Sequence, residues 1–479
     1  MSECPHESSI FLASDDTEAE GDSTKQFDWK WLVQEQWLAM KISFSIAFTY
    51  MLQNCLQVSS VILCGHLVGQ DALSIAAISY MWATVTSGCL ALGGSTALDT
   101  LASTTFTSSS NPHDMGVLLQ RSIIILLLLN LPLLIFWWFI APVLLFLGQD
   151  PLLAARTQEF LRILSFGSPG YLLFEIFKKF LQVQGILHAS TVVLIFVSPI
   201  HVLLNWAFIY WLDYGAHGAA IGASITYWIA FLLILALVRF GDGYKAWGGL
   251  SKKCFDDFWK MTKLSLSGFV MVGTQCWALT IVTLTAGRIS VLAMDTQSVI
   301  MTLAQISATI PFGISVAASS RMGNILGNGQ IRFVKQVVIS SLLLATLMGG
   351  VLGSILVATR KSFGYLFTRD EKIVAAVARV LPIAAAVQIT DGWAQACAGI
   401  LRGTGMQHFG AAMNIVAYYA MALPLGLALA FSAHMGLVGL WLAQCLASLF
   451  IAILEFGLIC CLDWGKEVSK ARKRVKTHS

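Results

Sequence analysis

One carboxylate stands in the middle of a long apolar run: Asp391, in Ile389-Thr390-Asp391-Gly392-Trp393. At about 100° per residue on a helix, Ala384, Gln388, Asp391, Gln395 and Ala398 fall within about 80° of arc, so the acid shares a face with amides and small side chains. Placing Asp at the centre of a membrane helix costs about 2.5–3.5 kcal/mol, against roughly 0.6 kcal/mol returned by a typical interhelical hydrogen bond. A functional role is therefore expected. A carboxyl held away from bulk water can load and release a proton, or as an anion it can hold a cation or a cationic substrate. Asp391 is the candidate proton carrier.

Two other runs carry polar stripes at helical spacing: Thr49, Gln53, Gln57 and Ser60, and Ser298, Thr302, Gln305 and Thr309 just before Pro311, which should kink its helix. Each stripe either lines a cavity or supplies hydrogen bonds between helices. Trp277, Trp393 and Tyr419 offer aromatic faces that can hold an organic cation, or that simply pack. Glu175 precedes Lys179 by four residues and is expected to pair with it. Asp99 is expected to organise an adjoining loop, and Glu455, late in its run, to reach the membrane interface.

The elements that position these groups follow from composition. With 57% hydrophobic and 12% charged residues and a mean hydropathy of +0.73, the chain lies outside the range of water-soluble domains. Twelve stretches can cross a hydrocarbon core of about 30 Å: near 40–65, 72–97, 120–147, 157–182, 189–212, 218–240, 262–287, 296–320, 334–358, 375–400, 411–432 and 437–461. Six fall in each half. The punctuation also repeats after roughly 220 residues, at Asp150/Asp370, Leu181/Leu401, Gly185/Gly405 and His188/His408, which reads as an internal duplication. The fold expected is an all-α polytopic membrane protein: twelve helices in two six-helix lobes related by a pseudo-twofold along the membrane normal, as in secondary transporters.

The boundaries expected are a disordered acidic tail over 1–34, a first lobe over 35–240, a basic linker over 241–261, a second lobe over 262–462 and a basic tail over 463–479. Placing the linker and both termini in the cytoplasm puts most Lys and Arg inside, although the loop near 359–372, with Arg360, Lys361, Arg369 and Lys372, runs against that rule. The basic patches need only anionic lipid, not nucleic acid. Ten scattered cysteines make neither a disulfide framework nor a metal site, and no cofactor motif is present. No arrangement for nucleophilic or metal-assisted catalysis appears either, so an enzyme is not expected.

Leu92-Gly93-Gly94-Ser95-Thr96-Ala97-Leu98-Asp99-Thr100-Leu101 resembles the Ala-Leu-Asp-Thr-Leu motif of eukaryotic multidrug and toxic compound extrusion (MATE) transporters. Arg321-Met322-Gly323-Asn324-Ile325-Leu326-Gly327 is similar to their Arg-x-Gly-Asn-x-Leu-Gly motif, and Ile400-Leu401-Arg402-Gly403-Thr404-Gly405 through Gly439-Leu440-Trp441 to their late signature. The resemblance covers nearly all of 35–460. It implies a twelve-helix, two-lobe antiporter that exports organic cations or amphipathic metabolites by alternating access, in exchange for H⁺ or, in some members, Na⁺; a monomer in the plasma or vacuolar membrane is expected. It also implies two glutamates in the seventh span close to an acid in the tenth. Here those two positions are Gln275 and Thr280, and only Asp391 remains.

The resulting expectation is a proton-coupled exporter with Asp391 as its coupling group. A cavity would be lined by Gln53, Gln57, Gln275, Thr280, Gln305, Thr309, Gln388 and Gln395, with Trp277, Trp393 and Tyr419 touching the substrate. The alternatives are a flippase for lipid or lipid-linked cargo, and a MATE-fold protein whose ion coupling is altered or lost. A flippase predicts a strongly cationic cavity, whereas the spans read as poor in Lys and Arg.

Overall fold

The computed structural model describes residues 29–109 and 111–476, and the described residues form helices and connecting turns with no strand. Among the described residues ten stretches are single apolar helices of spanning length: α1 (Trp29–Leu67), α2 (Gln70–Ser108) and α3 (Asp114–Trp138), then, after a bent segment, α5 (His188–Trp211), α6 (Gly215–Phe240), α7 (Phe258–Ile289), α8 (Val291–Asn328), α9 (Ile331–Thr359), α10 (Glu371–Thr404) and α11 (Gln407–Ser432). An eleventh, α12 (Leu437–Cys461), has the same character, and a short amphipathic helix, α13 (Trp464–Lys476), follows it. The bent segment, α4, is two helices, Pro151–Leu164 and Ser168–Val183, meeting at 52°. Counted as one span it brings the total to twelve.

The bend has a local cause. Pro169, near the start of the second segment, has no N–H to continue the first, and Gly167 lies against α6 so closely that a Cβ there would meet Ser224 Cα at 2.5 Å. Wide π turns interrupt α2, α5 and α11. Large apolar side chains such as Phe44, Ile135, Phe196, Leu232, Leu343 and Ile453 are exposed along the helices, a surface that requires lipid as solvent.

The helix α1 begins at Trp29, so residues 29–34 are helical although the sequence assigns them to the tail; the rest of that tail, 1–28, lies outside the described residues. The contacts divide the described chain into two units inside α1 and α7 rather than at the loops. One unit holds Phe48–Phe269, the other 29–47 and Val270–Val475. Residues 29–47 belong to the second for identifiable reasons. Arg321 grips Glu35 with two hydrogen bonds of 2.8 and 2.6 Å, Trp31 stacks on Phe333 at 4.3 Å, and Gly313 lies so near the Ser43 carbonyl that a Cβ would reach it at 2.6 Å.

In the first unit, the linker expected over 241–261 is held to α3. Arg121 donates to the Cys254 and Lys253 carbonyls at 3.0 and 2.9 Å, and Gln120 bonds both Gly249 and Ser251. In the second unit, α8 and α10 meet along small residues. Gly399 and Gly403 of α10 abut the Ser315 and Ser319 carbonyls of α8, leaving no room for a side chain at either glycine.

Candidate functional site

The interior of the first unit is charged and balanced. Lys178 Nζ lies 2.6 Å from Glu175 Oε1, and Lys179 Nζ lies 2.8 Å from Asp99 Oδ2, all four side chains fully buried or nearly so. Gln53 of α1 bridges the first pair, donating to Glu175 at 2.6 Å and accepting from Lys178 at 3.0 Å. Tyr50 adds its hydroxyl to Glu175, at 3.4 Å, and its ring beneath Lys178 at 3.8 Å. Two carboxylates and two ammonium groups cancel, so each of these four buried charges has its counter-charge, the condition under which such pairs are tolerated in a low dielectric. The sequence expectation of a Glu175–Lys179 pair is corrected: the partner of Glu175 is Lys178, three residues on. Lys179 points instead to α2, where Asp99 serves as an interhelical clamp rather than as a loop organiser. A scarcity of cations inside the spans does not hold either, since Lys178, Lys179, Arg121, Arg321 and Arg402 are all buried.

The second unit is not balanced in this way. Asp391 lines a cavity with Gln275, Gln395, Arg402, Asn414, Tyr418 and Glu455, closed by Met271, Phe312, Ala394 and Ile451. The cavity measures about 50 Å³, room for a few waters but not for an organic cation in this conformation. Gln275 Nε2 donates to Asp391 Oδ1 at 2.8 Å, and Gln395 Nε2 donates to Gln275 Oε1 at 2.7 Å. The second bond fixes which end of the Gln275 amide faces the acid. Arg402 is held by its Nη2 on Ser315 Oγ, which in turn bonds the Gln395 carbonyl, and by its Nε on the Ala398 carbonyl at 3.4 Å. The result is a polar pocket in the middle of a helical unit, with two carboxyls, one guanidinium and a set of oriented amides.

The other residues singled out from the sequence lie elsewhere. Gln53 sits in the ion-pair network just described. Gln57 is half-buried and within 3.5 Å of the Thr84 hydroxyl. Thr280 and Thr309 bond carbonyls of their own helices, at Cys276 and Ile306. Gln305 is exposed and Gln388 buried. Trp277 leans over Gly273 of its own helix, Trp393 donates to Thr346 at 2.8 Å, and Tyr419 donates to the Thr274 carbonyl at 3.2 Å; none of the three is among the cavity's lining residues.

Glu455 is the residue that sequence reasoning missed. It was expected at the interface, yet it is 0% exposed and lines the Asp391 cavity. The signal was available: Gln444, Ser448 and Glu455 follow i, i+4, i+11 on α12 and are all buried. Ser448 bonds Thr390 at 2.6 Å, which turns that stripe toward α10.

A helical chain of this span count, with buried charge pairs in one unit and a polar pocket holding two carboxyls in the other, has the make-up of a polytopic membrane transporter rather than an enzyme. The family model MatE matches residues 45–207 and 269–428, and the chain belongs to that family of MATE transporters. Multidrug and toxin extrusion protein 1 of Oryctolagus cuniculus is 35% identical over 86% of this chain and 72% of its own length. An uncharacterized transporter of Schizosaccharomyces pombe is 34% identical over 92% of this chain and 82% of its own. The crystal structure of the eukaryotic MATE transporter AtDTX14 superposes with a TM-score of 0.88 at 26% identity, covering 93% of this chain and 99% of that one.

Proposed function

We propose that this transporter exports organic cations or amphipathic metabolites in exchange for protons, with Asp391 carrying the proton. The observation that supports the reading is a mid-helix carboxylate lining a cavity with room for a few waters, oriented by the Gln275 amide. Protonated, Asp391 is neutral and offers a cation nothing; ionised, it attracts one. Competition becomes coupling when proton and substrate prefer different states of an alternating-access cycle. We place the protein as a monomer in the plasma or vacuolar membrane with both termini cytoplasmic.

A second reading has its own observation. Gln275 and Thr280 stand where the family resemblance implies glutamates, and neither can titrate, which favours a MATE protein with a changed coupling ion such as Na⁺. Reconstitution in liposomes separates the two. Uptake of ethidium driven by an acid interior, absent under a Na⁺ gradient and abolished by Asp391→Asn, is the expected result. Equal ΔpH-driven uptake by wild type and Asp391→Asn rejects Asp391 as the carrier, and uptake driven by Na⁺ alone selects the second reading.

A further inference from the structure

The reading above uses one carboxylate, but the cavity holds two. Glu455 enters from α12, fully buried, and neither of its carboxyl oxygens has a hydrogen-bond partner among the described residues. Gly410 of α11 makes its room: a Cβ there would come within 3.2 Å of Glu455 Oε1. The charged and titratable groups around it are Asp391, Cys397 and Arg402 of α10 and Tyr418 of α11, while α7 contributes Cys276 beside Tyr418 and otherwise the neutral Gln275 and Met271. Cys460, on α12 itself, is near Cys397. A buried anion without donors is costly, and a structural carboxylate in a fold that pairs Glu175, Asp99 and Glu35 so closely would be expected to have its own partners.

The charges in this pocket decide the matter. With both ionised, Asp391 and Arg402 alone would leave the cavity without net charge. Adding Glu455 leaves one negative charge over. We propose that Glu455 is a second ion-carrying carboxylate of the exchange site, so that Asp391, Glu455 and Arg402 together take up one proton or one monovalent cation and exchange them one for one. The proton is received from water on one side of the membrane by whichever carboxyl is ionised and returned to water on the other. No covalent bond other than O–H forms or breaks. This inference rests on the proton-exchange reading and supplies the second acid that Gln275 and Thr280 do not.

The test uses the full chain in liposomes, with ethidium as the transported probe and infrared difference spectroscopy as a direct readout of carboxyl protonation. In the wild type, acidification should raise a protonated-carboxyl C=O band. Glu455→Gln should lose a component of that band, and its ΔpH-driven ethidium uptake should fall at least tenfold, while Glu455→Asp keeps both with the band displaced. A K⁺–valinomycin potential should leave wild-type exchange unchanged, as one-for-one exchange of monovalent ions moves no net charge. Glu455→Gln with an unchanged band and unchanged uptake overturns the proposal. Should Glu455→Gln not yield monodisperse protein, Glu455→Asp decides, because a band identical to wild type overturns it equally. Asp391→Asn run alongside separates the two claims: if it transports normally while Glu455→Gln does not, the assignment of Asp391 fails and that of Glu455 stands.

Discussion

Cutting the Asp99–Lys179 pair should destabilise the first unit far more when one partner is removed than when both are. Lys179 Nζ lies 2.8 Å from Asp99 Oδ2, with side-chain exposures of 0% and 3%, so Lys179→Met leaves an anion in a site that water does not reach. Stranding one charge of a buried pair costs about 3–5 kcal/mol, which at roughly 1.4 kcal/mol per decade is between two and four powers of ten in the folding equilibrium. The double variant Asp99→Leu/Lys179→Met strands nothing, and replacing such a pair by apolar side chains of similar size is often neutral. The assay is the fraction of folded protein against added dodecyl sulfate for wild type, both single variants and the double, each first shown to be monodisperse in mild detergent. The expected order is wild type close to the double, with both singles well below. If Lys179→Met keeps the wild-type midpoint, or the double falls as far as the single, the pair is not the clamp described here.

Several further outcomes can be measured. Gln275→Glu adds a third carboxylate to the cavity, so the proton-to-cation ratio found from the ΔpH that just balances an ethidium gradient should rise above the wild-type value. Gly399→Val should drive a side chain into the Ser315 carbonyl; overpacking of this kind costs about 1–3 kcal/mol and should appear as a lower yield of monodisperse protein. Glu35→Gln leaves Arg321 buried without its counter-charge and should loosen 29–47 from the second unit, read as faster amide exchange in the first turns of α1. At the start of α13, the Lys466 ammonium and amide both hydrogen-bond the Asp463 carboxyl and hold it below the usual carboxylate range. A lowered value means that its contribution is complete above the ordinary Asp range and is lost as pH falls through the lowered one. Amide protection at the start of α13, measured against the intrinsic exchange rate at each pH, should therefore fall only in acid.

Hydropathy carries the positions of the spans because a helix in lipid needs a long apolar run, and the twelve sequence stretches fall within the observed helices, with 120–147 running past the end of α3 and 157–182 divided by a bend. Asp391 was legible for a related reason: one acid amid small residues and amides has few structural explanations. Glu455 was not, because its distance from the end of α12 suggested an interfacial position, while its depth is set by the helices packed around it. Glu175 shows the limit of local rules. Helical spacing permits pairing at three or four residues, and the choice was made by Gln53 on α1 and Asp99 on α2, more than 70 residues away along the chain. The division of the described chain within α1 rests on Arg321, Phe333 and Gly313, whose distance in sequence hides them from any local pattern.

The Gln395-to-Gln275-to-Asp391 chain of bonds has a kinetic consequence. An amide N–H donates but does not hand its hydrogen on, and both amides are pinned by the bonds they already make. This side of the acid is thus an insulator: hopping conduction of the kind that water chains and hydroxyls support stops at Gln275. Any H⁺ reaching Asp391 has to arrive through the cavity itself, so replacing light water by heavy water should slow that arrival without affecting how the carboxyl is aimed.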